Sequence, residues 1–258
     1  MIARIEAMQL RMAPAVLVAV GAWVLSMIAL PIARWVAGDG VIPAMTTVSA
    51  LFQVSAVLIA LRATWSTTRV AATFAIVAVL TFGAEWLGST TGVPFGDYAY
   101  TDGLQPQVAG VPLLIPVAWM MMLGPSWAVA QRVTAALPFG PLRTIAFAAI
   151  SGAAMTAWDL YLDPQMVAWG FWQWAEPVGY FGIPWVNFAG WFVVSFLVTL
   201  TVRPAPVNAP PLLVIYAVVW VFQAIGMAVF WGLGGPAVFG FASMGLLLAL
   251  SIRRRGRL

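Results

Sequence analysis

Eight apolar runs, each about 20 residues long and parted by mostly short connections, constrain this chain more than any other feature. They cover roughly 13–33, 42–61, 70–89, 110–131, 144–162, 185–202, 211–231 and 236–252. Each is long enough to cross the hydrocarbon core of a bilayer. Lipid offers no partner to backbone N–H and C=O groups, so such runs must be helices. No hydrophilic stretch is long enough for a soluble domain. The expected fold is therefore all-α: a polytopic transmembrane bundle of about eight helices, forming a single integral-membrane domain over 1–258. Because only 232–236 splits the last two runs, seven helices are the alternative.

Arginine placement sets the orientation. With eight spans, Arg4, Arg11, Arg62, Arg69, Arg132, Arg143, Arg203, Arg253, Arg254, Arg255 and Arg257 share one side, and Arg34 stands on the other. The positive-inside rule then puts both termini in the cytoplasm and the protein in the inner (plasma) membrane as a multi-pass chain. Seven spans would leave the basic tail outside. Residues 1–33 begin like a signal peptide, but the apolar stretch is long and no small-residue cleavage site follows, so the first helix is expected to be retained. The net charge of +4 reports topology and contact with anionic lipid, and gives no reason to invoke nucleic acid.

The acids have the opposite bias. Seven of the eight carboxylates, all but Glu6, fall on the side away from the arginine cluster. Mean hydropathy is +0.97, and the chain has no His, Cys or Lys. Disulfides, thiolate catalysis and thiolate metal sites are excluded. So is a lysine Schiff base, and with it a retinal-binding opsin. Any chemistry here must be carboxylic acid chemistry.

Two long connections, 90–109 and 163–184, face the acid side and are rich in Gly, Pro, Tyr, Trp and Phe. A solvated linker would have the reverse composition. Such segments are expected to fold back into the headgroup region or over a cavity, where protein or water satisfies irregular backbone. The chain also hints at duplication. Gly110-Val111-Pro112 precedes Trp119 as Gly182-Ile183-Pro184 precedes Trp191, with each Gly-x-Pro expected to open a helix. Glu85 and Asp159 lie near the ends of the third and fifth runs in the same relative places.

Asp159 and Asp163, spaced i, i+4, share one helix face, and Pro164 is expected to end that helix. Two close carboxyls in a low dielectric cannot both ionise cheaply, which suits an acid–base pair. The alternative is a solvated helix end at Asp163 and a helix–helix contact at Asp159. Glu85 lies in the last turns of its run, where an acid usually faces a cavity or a partner; the alternative is an interfacial side chain reaching outward. Asp97 sits in a Pro/Gly-rich segment where a turn role and a functional role are balanced. Asp39, Asp102 and Glu176 read as ordinary turn or loop residues. Asn187 is either a polar helix–helix contact or a water ligand. Trp169, Phe171, Trp172, Trp174, Tyr180, Phe181 and Trp185 suit an interfacial belt, although a few could turn their π faces to a cation in a cavity. There is no metal motif: oxygen-only ligation by isolated carboxylates is weakly supported.

Four segments in order resemble a known family: Glu85-Trp86-Leu87-Gly88 with Thr91-Gly92-Val93-Pro94-Phe95-Gly96-Asp97-Tyr98-x-Tyr100; Gly110-Val111-Pro112 with Ile115-Pro116-x-Ala118-Trp119; Ala157-Trp158-Asp159-x-x-Leu162-Asp163-Pro164-x-Met166; and Tyr180-Phe181-Gly182-Ile183-Pro184-x-x-Asn187-Phe188-x-Gly190-Trp191. The chain resembles the CruF-type integral-membrane carotenoid hydratases over about 80–192. The resemblance implies addition of water across the terminal C1–C2 double bond of an acyclic (ψ) end, giving a tertiary alcohol without metal or redox cofactor. It implies Asp159 or Glu85 as acid, Asp163 as its partner or the water base, and Asp97 and Asn187 as water-positioning groups. Tyr98, Trp119, Trp158, Tyr180 and Trp191 are the motif aromatics expected to hold substrate. The expected partners are a carotenoid drawn from the lipid phase, membrane lipids and other enzymes of the carotenoid pathway. A proton- or cation-coupled transporter, a pigment-binding scaffold, and an isomerase or cyclase acting on the same substrate are the competing readings.

Overall fold

The computed structural model describes residues 13–253, so the basic residues Arg4, Arg11, Arg254, Arg255 and Arg257 lie outside the described residues. Eight long helices form the body: α1 Pro14–Ala37, α2 Ile42–Arg62, α3 Thr67–Thr91, α4 Leu114–Val133, α5 Pro141–Ala168, α6 Trp185–Val202, α7 Ala209–Val229 and α8 Gly234–Arg253. Each is long and apolar enough to cross a membrane. The break between α7 and α8 is genuine, so the described residues hold eight spans rather than seven. Local chemistry explains the ends. Pro lies in the first turn of α1, α2, α5 and α7, where its missing N–H costs nothing. Ser66 caps α3 by accepting from the Arg69 N–H, and Gly92, at φ +78°, closes it in the left-handed conformation.

The helices divide into centre and periphery. Of the most apolar stretch of α4, 78% is buried, against 28% in α1, α3 and α7. The apolar side chains exposed on the outer helices, such as Val18, Val36, Val79 and Val229, are what lipid would cover.

Built around α4, the pairs α3–α4 and α5–α6 form two hairpins, each with a strand in its connection. Strand β1 (Tyr98–Tyr100) lies between α3 and α4, followed by the small hairpin β2 (Gln107–Val108) and β3 (Val111–Pro112). Strand β4 (Trp172–Trp174) lies between α5 and α6. The two long connections meet: β1 pairs antiparallel with β4, Tyr98 opposite Trp174, Ala99 opposite Gln173 and Tyr100 opposite Trp172. An offset of 74 residues relates Tyr98 to Trp172 and Tyr100 to Trp174. The pairing is thus what a local twofold axis through Ala99 and Gln173 produces. An offset of 72 relates Trp119 to Trp191, whose rings stack at 4.1 Å and 6°. It also relates Trp127 to Thr199, which are joined by an Nε1–H to Oγ1 bond of 3.0 Å. Three successive levels of the molecule therefore pair a residue with its own counterpart, and the duplication suggested by the Gly-x-Pro spacing is built into the fold.

Two expectations are corrected. Gly110-Val111-Pro112 does not open a helix: Val111–Pro112 is strand β3, and α4 starts at Leu114. Nor does Pro164 end α5, which runs on to Ala168. Proline costs a helix the bond to the carbonyl four residues back. Here that carbonyl, Leu160, accepts from the Tyr180 hydroxyl at 3.1 Å instead. Pro125 inside α4 is treated alike, since the Met121 carbonyl accepts from the Gln53 amide at 3.5 Å.

Candidate active site

The strand pair roofs a cavity of about 470 Å³ enclosed mainly by apolar and aromatic side chains. Two carboxyl centres stand on its wall, one from each repeat unit.

Glu85 belongs to the first. It lies two turns before the end of α3 and is buried. Its Oε2 accepts from the Tyr98 and Tyr100 hydroxyls at 2.6 and 2.7 Å, and its Oε1 from the Trp119 indole at 2.9 Å. The two tyrosines reach the same carboxylate because alternate residues of a strand share a face. Gly88 makes the approach possible: a Cβ there would lie 2.6 Å from the Phe95 ring and 3.1 Å from the Tyr98 hydroxyl. Burial, then the charge of Glu85, pushes both phenols well above the usual range, so they stay donors. Three groups that each point a donor at one carboxyl suit its charged form.

The second centre is built differently. Asp159 and Asp163 lie one turn apart on α5, and Asn187 faces them from the first turn of α6. The Asn187 amide donates to Asp159 Oδ2 at 3.1 Å and, in a close contact, to Asp163 Oδ2. Asp163 Oδ1 accepts from the Trp172 indole at 3.1 Å. Asp159 Oδ1 is buried with no hydrogen-bond partner among the described residues. Two carboxyls here share one amide, whereas Glu85 has three donors to itself.

Of the residues singled out in the sequence, Glu85, Asp163, Asn187, Tyr98, Trp158 and Trp191 line the cavity. Asp159 and Trp119 stand behind the wall, fully buried, each in contact with a group that reaches it. Two are not brought in. Asp97 is exposed and does not line the cavity, and its backbone carbonyl accepts from the Ala175 N–H at 2.9 Å. The Tyr180 hydroxyl is engaged at Leu160, away from the cavity. The aromatic belt also divides: Phe181 and Trp185 are half exposed or more, whereas Phe171, Trp172 and Trp174 are buried.

Sequence reading placed Trp172 and Trp174 in an interfacial belt and Tyr100 only within a motif, whereas all three line the cavity. Their signal was the alternation Tyr-Ala-Tyr and Trp-Gln-Trp, the period of a strand with one buried face. It also missed an amide pair in the wall. The Gln223 Nε2–H donates to Gln165 Oε1 at 2.9 Å, and Gln223 Oε1 accepts from the Trp158 indole at 3.3 Å. No short-range pattern pointed to two glutamines 58 residues apart.

Comparison with known proteins gives this geometry a context. The family described as carotenoid biosynthesis protein matches residues 45–247, which include both repeat units and every residue of the two carboxyl centres. Bisanhydrobacterioruberin hydratase of Haloarcula japonica is 31% identical over 124 residues, 46% of this chain and 40% of that protein. The shared stretch thus spans less than half of that relative. No solved structure matches the chain. On the extent of the family match, the chain belongs to the carotenoid biosynthesis protein family.

Proposed function

We propose that the protein hydrates the terminal C1–C2 double bond of an acyclic carotenoid end, giving a tertiary alcohol. The observation that carries this reading is an aromatic cavity with two unlike carboxyl centres on its wall, Glu85 and Asp163. The name of the Haloarcula relative agrees with it.

The residues divide the reaction between them. The Asp159–Asp163 pair holds one proton, because two buried carboxyls that share an amide cannot both be charged cheaply. Asp163, the member on the wall, delivers that proton to C2. The π electrons of the double bond form the new C–H bond, and C1 becomes a tertiary cation. The faces of Trp172, Trp174 and Trp191 and the charge on Glu85 stabilise it. A water oxygen bonds to C1, and its surplus proton passes to the Glu85 carboxylate. Transfer of that proton through cavity water back to the aspartate pair restores the site. The sum is one water added across one double bond, with no redox change. Asn187 holds the two aspartates together and orients Asp163.

On this reading the protein is a hydro-lyase of the inner membrane, with both ends cytoplasmic, taking its substrate from the lipid phase and its place beside other carotenoid-pathway enzymes. The test is pigment analysis, by chromatography and mass spectrometry, of cells that make lycopene with and without the protein. A new pigment heavier by one or two waters is expected. An unchanged profile with lycopene and with longer or monocyclic carotenoids, the protein being folded in the membrane, would sink the reading and favour a proton relay through the same acids.

A further inference from the structure

The cavity does not end at the helices that carry the acids. It continues sideways to α1 and α7, where its wall includes Ile28, Ile32 and Trp35 on one side and Phe222, Ile225 and Gly226 on the other. The spacings i, i+4, i+7 on α1 and i, i+3, i+4 on α7 each define one helix face. Several of these residues line the cavity and are also exposed on the outer surface of the bundle: Ile28 at 44%, Ile32 at 49% and Ile225 at 51%. Residues that do both mark an opening. The surface around it is the apolar periphery that lipid covers, so the opening faces acyl chains rather than water.

The loop end of the cleft is closed. Trp35 packs edge-on against Phe230 at 5.4 Å, the Arg34 guanidinium lies 5.0 Å over Trp231, and Trp231 meets Trp169 edge-on at 4.8 Å. Below this arch there is room at the lip, since a Cβ added to Gly226 would meet only the Trp231 ring, at 3.6 Å. The acids therefore communicate with the membrane interior by a sideways apolar passage beneath an aromatic arch.

We infer that the cleft between α1 and α7 is the subsite for the polyene chain: the acyclic end reaches Glu85 and Asp163 while the remaining chain lies in the cleft and runs out between the helices into lipid. This rests on the proposed hydration of an acyclic end. A stiff apolar rod fits such a passage because its whole length stays out of water while one end meets the acids.

The chain has no cysteine, so single thiols can report occupancy without turnover. Ile225→Cys and Ile28→Cys place a thiol at the mouth, Leu104→Cys and Leu162→Cys at the cavity wall near the acids, and Val79→Cys on the lipid-facing side of α3. Each full-length variant, in lipid vesicles, is labelled with a membrane-soluble maleimide with and without lycopene. At about ten times its dissociation constant, lycopene is expected to slow labelling about tenfold at mouth and deep positions and leave Val79→Cys unchanged. Protection of the deep thiols but of neither mouth thiol would overturn the subsite and leave the hydratase reading standing. Protection at none of the four, with lycopene and then with longer or monocyclic carotenoids, would overturn both. Two positions at each depth guard against one variant that fails to fold. As an independent check, Gly226→Trp should lower conversion of lycopene in cells by at least about tenfold, as loss of uniform binding would. Wild-type conversion by a folded Gly226→Trp protein would also overturn the mouth.

Discussion

The two repeat units place carboxyl groups at equivalent positions and then treat them oppositely. Glu85 in the first and Asp159 in the second lie near the ends of corresponding helices, and β1 and β4 each send a donor to the acid of their own unit: Tyr98 to Glu85 and Trp172 to Asp163. From there the units diverge. The first adds Tyr100 and Trp119 as further donors to one carboxylate. The second has Asp163 where the first has Ser89, and Asn187 where the first has Ile115, so it gathers two carboxyls around one amide. Trp191, the counterpart of Trp119, stacks on it. A duplicated scaffold thus supplies two acids, and the ratio of donors to carboxyls makes one site suited to negative charge and the other to a held proton.

That contrast can be broken from its strongest side first. If the second unit supplies the proton, Asp163→Asn should cut hydration by about 10²–10⁴-fold, the usual worth of a positioned general acid. Pigment yield per folded protein in membranes checks it, and near wild-type yield would remove Asp163 from the chemistry. Glu85→Gln is expected to come close behind, for a second reason. The new amide keeps one accepting oxygen but turns an NH2 group towards the donors on the other side, and a buried partner left unmatched costs about 1–3 kcal/mol. Both pigment yield and the thermal midpoint of the purified protein should fall, whereas Asp163→Asn should lower yield with a smaller change in midpoint.

Asp159→Asn is the sharper discriminator. Asp159 does not itself line the cavity and acts through Asn187 and Asp163, so its loss should be smaller than that of Asp163→Asn and should shift the pH profile of the remaining activity. Equal losses with unchanged profiles would mean that the pair does not share a proton. Next comes Tyr100→Phe, which removes one of three donors from Glu85. A charge-assisted bond is worth about 1.5–3 kcal/mol, so activity should drop roughly 10- to 100-fold with the fold retained. Smallest is Asp97→Asn. Asp97 is exposed and outside the cavity lining, and pigment yield should match wild type within error; a large loss would return Asp97 to the site.

Much of the architecture was legible because crossing a membrane is a local requirement. A run of apolar residues, a proline in a first turn or a glycine after a last one each acts within a few residues. The acid-rich side and the repeat spacing could be read in the same way, and so could Glu85, Asp159 and Asp163 as the only chemistry the composition allowed. The site itself was legible only in part. Trp119 and Trp191 were marked by their matched spacing, but Tyr100, Trp172 and Trp174 were hidden in what read as interfacial loops. Pro164 misled because its cost to α5 is met from Tyr180, in another segment.

By itself, then, the sequence determined a bundle of apolar helices with its acids gathered at one end, since hydropathy and backbone satisfaction in lipid are settled run by run. Tertiary structure decided that β1 would pair with β4, that Asp163 rather than Asp159 would reach the cavity, and that Glu85 would meet three donors. The reason is distance along the chain. The partners of Glu85 come from 13, 15 and 34 residues away and those of Asp159 and Asp163 from as far as 28, so no local pattern encodes which oxygen meets which donor until the two units close on each other.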